Sequence, residues 1–261
     1  MKLLRRLKPK AQKELMLDSN MRAMAVELEQ VLDDLLYASK EFQSDGVTSS
    51  LVYPIISLLK MELIKDLNKY KYTAELRKTI VERICVRFGH ILYNDVFLFA
   101  TFLDPYCGPS SFPSHMRDDV VFRLKEHLLR CSNSIIEQKT SQNKSKNSFR
   151  ERFMRYDEEE SQSESHESLI SNTISDYMSC IKKITLDKNK TVLDFWRENE
   201  SRWPSLASIA KKVLAVPASS AGVERMFSIA GHVFSLKRRR IKARIYESLV
   251  FCKLNEDLLN N

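Results

Sequence analysis

The sequence lacks any pair of cysteines at a metal-binding or redox spacing. Its five cysteines are odd in number and widely separated, and none belongs to a CxxC or CxxH pattern. No two of the five histidines stand four residues apart, and none lies beside a cysteine at ligand spacing. Reduced thiols in an intracellular protein explain this usage better than a disulfide framework or a zinc site. We therefore expect no metal site.

Long apolar runs are also lacking. The longest, LVYPIISLL (51–59) and VFLFATFL (96–103), are much shorter than the roughly 20 residues that span a bilayer. The amino end is basic, without the continuous apolar core and small-residue cleavage site of a secretory signal. These absences predict an intracellular chain with no membrane partner.

Strand patterning is almost absent, because apolar and polar residues rarely alternate with a period of two. Helical spacing recurs instead. Apolar residues over 21–42 recur every three or four positions, which predicts an amphipathic helix: Met24, Leu28, Val31, Leu32, Leu35 and Leu36. Further helices are predicted over 51–68, 73–90 and 117–137. The fold class is therefore mainly α.

Local signals refine these helices. The cluster Thr48-Ser49-Ser50 is predicted to cap the helix that follows it, and Asn94-Asp95 to cap VFLFATFL, which we expect to be buried on all sides. After residue 168, a further helix is predicted with Leu169, Ile174, Met178 and Ile181 facing inward. Trp196 and Trp203 are expected to anchor the core, since apolar residues flank them at helical spacing.

Composition changes abruptly over 138–168. Residues 139–150 are polar and basic, and residues 157–168 are acidic and rich in serine. Such a stretch cannot bury enough apolar surface to offset its chain entropy, which predicts a flexible charged loop. The predicted organisation is a helical region over 1–137, this loop, and a carboxy-terminal region over 169–261.

The stretch from Leu193 to Leu258 resembles the carboxy-terminal dimerisation region of hAT-superfamily transposases. The order is a tryptophan helix (Trp196), a Leu-Ala-Leu helix (206–214), a Pro-Ala-Ser-Ser segment (217–220) and a Glu-Arg-x-Phe-Ser helix (224–228), with a basic turn and a last amphipathic helix after it. Upstream, VLDDLLYASKEFQ, LVYPIISLL and FATFLDPYC are similar to landmarks of that family's helical insertion domain. The basic residue usual after the FLDP-like motif is replaced here by Tyr106 and Cys107.

The resemblance implies a fold for the chain and a family counterpart for Glu224. It implies a helical insertion-type domain followed by the carboxy-terminal helices of an incomplete ribonuclease-H-like fold. Glu224 matches the glutamate that the family's enzymes combine with two aspartates and metal ions. No β-rich segment here supplies those aspartates, and a lone carboxylate does not hold two Mg²⁺ ions. We expect a catalytically incomplete chain that needs no cofactor, with Mg²⁺ relevant only if a longer transposase chain completes the site.

The surroundings of Glu224 are open to two interpretations. Ser220, Ser228 and Gly231 form a strip of small residues around the carboxylate, which would let a metal or phosphate approach. The structural alternative is that Ser219 or Ser220 caps the helix and that the acid complements its dipole. In this chain we favour an inert remnant of the family's acidic triad.

The last helices carry more apolar surface than one packed seam requires. Six residues are predicted to form a dimerisation surface: Phe227, Ile245, Leu249, Val250, Leu254 and Leu258. If that surface stays uncovered, several kcal/mol of burial are lost. The leading hypothesis is therefore a dimerisation module whose partner is a second copy or a related hAT-derived protein, with no small-molecule substrate.

The basic turn offers a competing partner. The net charge of +8 favours an acidic ligand, and six cations crowd into KRRRIKAR: Lys237, Arg238, Arg239, Arg240, Lys242 and Arg244. They are candidates for sequence-independent DNA phosphate contacts or a nuclear import signal, and pairing with nearby acids is the structural alternative. The nucleus is thus the predicted location, with the cytoplasm as the alternative. A third candidate function is a transposase segment that supplies Glu224 to a longer copy.

Overall fold

The computed structural model describes residues 18–140, 166–183, 190–234 and 241–256. These ranges are mainly α-helical and contain no β-strand, so the predicted fold class is confirmed. Within them, no helix is both long enough and apolar enough to cross a membrane. The helices are α1 (Ser19–Phe42), α2 (Val52–Ile64), α3 (Ala74–Leu92), α4 (Asp95–Leu103), α5 (Ser114–Thr140), α6 (166–181), α7 (Val192–Asn199), α8 (Pro204–Leu214), α9 (Ala221–Val233) and α10 (Ala243–Leu254).

Side-chain caps fix several helix starts. Asp18 accepts a hydrogen bond from the Met21 N–H at 2.7 Å, and Asn94 accepts one from the Val96 N–H at 2.9 Å, as predicted. Thr191 and Asp194 form a reciprocal capping box at the start of α7. Each cap satisfies N–H groups that have no partner within the helix.

The short helix α4 is the centre of the core. Every residue from Leu98 to Leu103 is buried, which confirms the expected burial for these six residues, whereas Val96 and Phe97 are partly buried. The helix contacts α2, α5 and α8, together with the 3-10 turn Ser49–Leu51. A nine-residue helix can be this apolar only because neighbours cover its whole circumference.

The Thr48-Ser49-Ser50 cluster is not a cap, and that prediction was wrong. None of the three side chains makes a cap hydrogen bond, and all three are buried. Thr48 Oγ1 accepts from the Ala218 N–H at 2.9 Å, and the Ser50 carbonyl accepts from the Thr101 hydroxyl at 2.8 Å. Small polar residues thus let this turn lie directly against α4.

Aromatic side chains close the carboxy-terminal end of α4. Trp196 donates its indole N–H to the Leu103 carbonyl at 2.8 Å, and Tyr177 donates its hydroxyl to the Phe102 carbonyl at 3.0 Å. These carbonyls belong to the last turn of the helix, where backbone acceptors lack intrahelical partners. Trp203 packs edge-on against Tyr177 at 5.4 Å. Both tryptophans are 1% exposed, so their predicted role as core anchors is confirmed.

Two other predictions need correction. Leu169 was expected to face inward but is 64% exposed, because the buried face of α6 is formed by Ile170, Ile174 and Tyr177. The predicted loop over 138–168 is helical at both ends, since α5 runs to Thr140 and α6 includes 166–168. The rest of that predicted loop lies outside the described residues.

The FLDP-like motif forms a buried polar turn after α4. Asp104 accepts hydrogen bonds from the Tyr106 and Cys107 N–H groups at 2.9 and 3.4 Å. Burial raises the pKa of Asp104 despite these bonds, and it raises the pKa of the Cys107 thiol to about 12. Such a thiol is unreactive near neutral pH. No disulfide joins the cysteines of the described residues.

Candidate dimerisation surface

Helices α9 and α10 form a hairpin, and local side chains fix its first turn. The Ser219 hydroxyl accepts from the Ala221 N–H at 3.3 Å. Ser220 makes no cap and instead donates its hydroxyl to Glu224 at 2.7 Å. Of the two serines predicted as caps, only Ser219 therefore acts on the helix backbone. Glu224 lies in the first turn, where a negative charge complements the helix dipole.

Contacts between α9 and α10 hold the hairpin together. The Tyr246 hydroxyl donates to the Ala230 carbonyl at 3.0 Å. The rings of Tyr246 and Phe234 meet edge-to-face, with centroids 5.8 Å apart at 81°. Tyr246 therefore fixes the second helix against the end of the first.

The hairpin is attached to the loop that follows α1. Ser219 donates to the Phe42 carbonyl at 2.8 Å, and Arg225 donates to the Gln43 carbonyl at 2.8 Å. Arg225 also pairs with the Asp45 carboxylate. Sequence reasoning did not predict a role for Arg225, because its partners lie about 180 residues away and nothing in the local pattern identifies them.

Neither helix of the hairpin contains a buried residue. Val223 and Phe227 on α9 and Phe234 just after its end are each more than half exposed. On α10, Ile245, Leu249 and Leu254 are exposed, and Val250 is partly buried. Phe251 was not predicted, yet it is 65% exposed, the same fraction as Phe227. Leu258, the last predicted member, lies outside the described residues.

Glu224 lies on the exposed face of α9. Around it, Gly222 and Gly231 leave open space, since an added Cβ at either position would meet no atom within 4 Å. Across the described ranges, no group of three His, Cys, Asp or Glu side chains lies close enough to hold a metal ion. The described surroundings of Glu224 are therefore one hydroxyl and open surface.

The predicted basic turn is described only in part. Lys242 and Arg244 are exposed at the start of α10, whereas Lys237, Arg238, Arg239 and Arg240 lie outside the described residues. The role of these six cations stays a prediction.

Comparison with known proteins identifies the region that contains this hairpin. The family model for the hAT family C-terminal dimerisation region matches residues 173–255. The match begins within α6 and ends just after α10, so it includes both the aromatic helices of the core and the exposed hairpin.

Three relatives extend the similarity. The human zinc finger BED domain-containing protein 4 is 23% identical over 236 residues, which cover 85% of this chain and 19% of that protein. The putative AC transposase of Zea mays is 29% identical over 150 residues, covering 55% and 18%. The putative transcriptional regulator tpeD of Talaromyces stipitatus is 35% identical over 66 residues, covering 24% and 8%.

The chain spans less than a fifth of the length of these curated relatives. The family match covers most of the stretch from Leu193 to Leu258 that carries the motif order. These matches support a hAT-family derivative, in which residues 173–255 match that family's C-terminal dimerisation region.

Proposed function

We propose that the chain is a self-association module whose interface is the exposed face of the α9–α10 hairpin. The observation that carries this proposal is the exposure of eight large apolar side chains among the hairpin's described residues, each at least 36% accessible: Val223, Met226, Phe227, Phe234, Ile245, Leu249, Phe251 and Leu254. Full burial of one such side chain contributes about 1.5–3 kcal/mol. The free energy gained by covering several of them is therefore comparable with the free energy of unfolding of a whole domain.

The favoured partner is a second copy or a related hAT-derived protein. In a two-fold dimer the same patch serves both subunits, so Phe227 on one copy can pack against its counterpart. The Arg225 and Ser219 attachments support this arrangement, because they hold the hairpin by its base and leave its apolar face outward.

The decisive experiment measures mass in solution. Wild-type chain at micromolar concentration should elute as a dimer in size-exclusion chromatography with light scattering. Phe227→Asp should elute as a monomer with an unchanged helical circular dichroism spectrum, because a desolvated carboxylate opposes the interface.

A matched control separates the effect of an added surface charge from the effect of disrupting the interface. Phe122 on α5 is also an exposed phenylalanine, at 61%, so Phe122→Asp should remain dimeric. A wild-type chain that is folded and strictly monomeric would contradict the proposal, as would equal loss of the dimer in both variants.

We further propose that the chain is catalytically incomplete. Two-metal phosphoryl chemistry needs several carboxylates converging on the ions, whereas the described partner of Glu224 is the Ser220 hydroxyl. The purified chain should therefore cleave no DNA with or without Mg²⁺. Mg²⁺-dependent cleavage that disappears in Glu224→Gln would refute this proposal and favour the enzymatic alternative.

The nucleus is the proposed location. The similarity to a putative transposase and to a BED zinc finger protein supports it, as does the cation-rich segment over 237–244. Alanine at all six cations should shift a fluorescent fusion from nucleus to cytoplasm. The same variant tests DNA contact: if DNA retention depends on these cations, it should be salt-sensitive in the wild type and lost in the variant.

A further inference from the structure

Helix α3 carries an arginine pair, Arg83 and Arg87, which is exposed and has no ion-pair or hydrogen-bond partner in the described ranges. The positions three and four residues from each arginine hold no acid, and Glu82 lies about 100° around the helix from Arg83. Five arginines on other elements do form ion pairs with carboxylates: Arg123, Arg130, Arg197, Arg202 and Arg225. Like charges four residues apart repel each other, so the arginine pair disfavours the helix that carries it.

Helix α1 has the opposite arrangement in an acidic pair, Glu29 and Asp33. Both residues are exposed, they are also four residues apart, and neither has an ion-pair or hydrogen-bond partner among the residues that the structure describes. No cation stands three or four positions from either one. The buried residues Val31 and Ala38 lie on the opposite side of the helix. The acidic pair is therefore on the outer face of α1.

Hydrogen bonds on the inner side of α1 fix the direction of this outer face. Asn20 accepts from the Tyr72 hydroxyl at 3.0 Å, and Glu27 accepts from the Tyr72 N–H at 2.9 Å. Further along the helix, Leu35 packs against the core. The acidic pair is thus presented by a helix that is already anchored, so binding through it orders no additional backbone.

Exposed apolar side chains lie beside both charged pairs. Tyr37 lies one turn after Asp33 and is 56% exposed, and Val86 lies one turn after Arg83 and is 76% exposed. Burial of such groups between two helices adds an apolar contribution to the attraction of opposite charges. An arginine also packs favourably over the face of a tyrosine ring. The two faces are therefore complementary in charge and share an apolar margin.

We propose that the acidic pair on α1 binds the arginine pair on α3 of a second copy. Charge complementarity selects this occupant, because every copy of the chain carries both pairs, yet no ion pair joins them within the described part of one chain. The spacing of each pair, about 6 Å along its helix, lets both arginines face both carboxylates. In a two-fold arrangement the contact forms twice, since α1 of each copy meets α3 of the other.

This contact is separate from the hairpin surface and differs from it in salt dependence. Salt screens exposed ion pairs, whereas it does not weaken the burial of apolar surface. Each exposed pair also contributes little to association. We therefore expect the hairpin dimer to form first, and the contact between α1 and α3 to join chains further at higher concentration and low salt.

Mixing two charge-reversed chains tests the proposal in the Phe227→Asp background, where no hairpin dimer is expected. One chain carries E29R/D33R, so both helices present cations, and the other carries R83E/R87E, so both present acids. In sedimentation equilibrium at low salt, each chain by itself should associate roughly tenfold more weakly than the Phe227→Asp parent, because attractive pairs become repulsive. An equimolar mixture should restore association, since each reversed pair then meets an opposite charge.

The matched control is K182E/K183E, which reverses two exposed cations just after α6 and changes the net charge as much as R83E/R87E does. It should associate like the parent. Equal weakening in this control would overturn the proposal, as would a mixture that stays as monomeric as its two components. If that mixture stays monomeric while R83E/R87E abolishes binding of a duplex oligonucleotide that the parent retains, the arginine pair binds nucleic acid instead and the proposal fails.

The salt dependence separates this inference from the proposed function. If Phe227→Asp leaves a salt-resistant dimer intact, the hairpin proposal fails. Association of the two reversed chains beyond that dimer, measured in the same mixture, still decides the contact between α1 and α3.

Discussion

The two halves of the matched region, residues 173–214 and 217–255, differ sharply in burial. In the first half, Tyr177, Trp196 and Trp203 are at most 1% exposed and close the end of α4. In the second half, neither α9 nor α10 contains a buried residue. One family region thus combines helices that complete this chain's core with a hairpin that offers apolar surface outward.

The difference shows that helices covered by one family match can have different physical roles. The tryptophan helix is held by hydrogen bonds to α4, nearly 100 residues earlier, so its substitution should act on folding. The hairpin is held mainly at its base, by Ser219 and Arg225, so its substitution should act on association. Matched substitutions in the two halves test this difference between folding and association.

The largest effect is expected for an aromatic truncation in the core. Trp196→Ala should lower the free energy of unfolding by about 3–5 kcal/mol, because it opens a cavity and leaves the Leu103 carbonyl unpaired. Phe227→Ala should change it by no more than about 0.5 kcal/mol in the monomer, since that ring already contacts water. Urea unfolding followed by circular dichroism measures both. Equal losses of unfolding free energy in the two variants would contradict the difference between the core and the hairpin.

A smaller effect is expected when only a hydroxyl is removed. Tyr177→Phe leaves the buried Phe102 carbonyl without its donor and should cost about 1–2 kcal/mol. Tyr246→Phe removes a similar bond to the Ala230 carbonyl in the exposed hairpin. Water can replace that donor, so the loss should be under about 0.5 kcal/mol. A larger loss for Tyr246→Phe than for Tyr177→Phe would contradict the ranking.

Much of the core was predictable from the sequence. The unbroken apolar run of α4 predicted burial, and Asn94 identified its start, because both signals are local. The apolar neighbours of Trp196 and Trp203 likewise predicted core positions.

Errors arose where burial depends on neighbours in space. Leu169 was assigned to the inner face, but the adjacent Ile170 occupies it, and a shift of one residue turns a helix by about 100°. The polar cluster Thr48-Ser49-Ser50 has the composition of a cap, yet it is buried against α4 and the segment before α9. Sequence spacing contains no information on these distant contacts.

For the hairpin, the apolar positions were predictable but their attachment was not. The spacing of Ile245 and Leu249 identified one exposed side of α10, and Leu254 was placed beside it, whereas Phe251 fits neither set and was missed. Arg225 belongs to the Glu-Arg-x-Phe-Ser motif, but its contacts with Gln43 and Asp45 arise only in the fold.

The attachment of the hairpin can be tested by hydrogen exchange. Amides of Leu98–Leu103 should exchange most slowly, and those of α9 and α10 faster, since exposed helices open at lower free energy. Arg225→Ala should speed exchange in the hairpin up to about fivefold, because a partly exposed ion pair contributes at most about 1 kcal/mol. Exchange in α4 should not change. Slower exchange in the hairpin than in α4 would contradict this order.

The subtlest test uses pH to compare a buried carboxyl, Asp104, with a partly buried one, Glu27. Burial raises the pKa of Asp104 above its unfolded value, despite hydrogen bonds from Tyr106 and Cys107. Its favourable contribution is therefore complete below the unfolded pKa, about 3.9, and is lost as pH rises through the folded pKa. Relative to Asp104→Asn, the wild type should become less stable over that interval, as measured by urea unfolding at each pH.

Glu27 should change the stability with pH in the opposite direction. Burial alone would raise the pKa of Glu27, but hydrogen bonds from the N–H groups of Tyr72, Lys71 and Thr73 outweigh it and lower the pKa. Its contribution is present above the unfolded pKa and is lost as pH falls through the folded one. Relative to Glu27→Gln, the wild type should thus gain stability as pH rises. If the unfolding free energies of the wild type relative to these two variants change with pH in the same direction, burial at the end of α4 does not set the pKa of Asp104. That outcome would contradict the contrast between the two carboxyls.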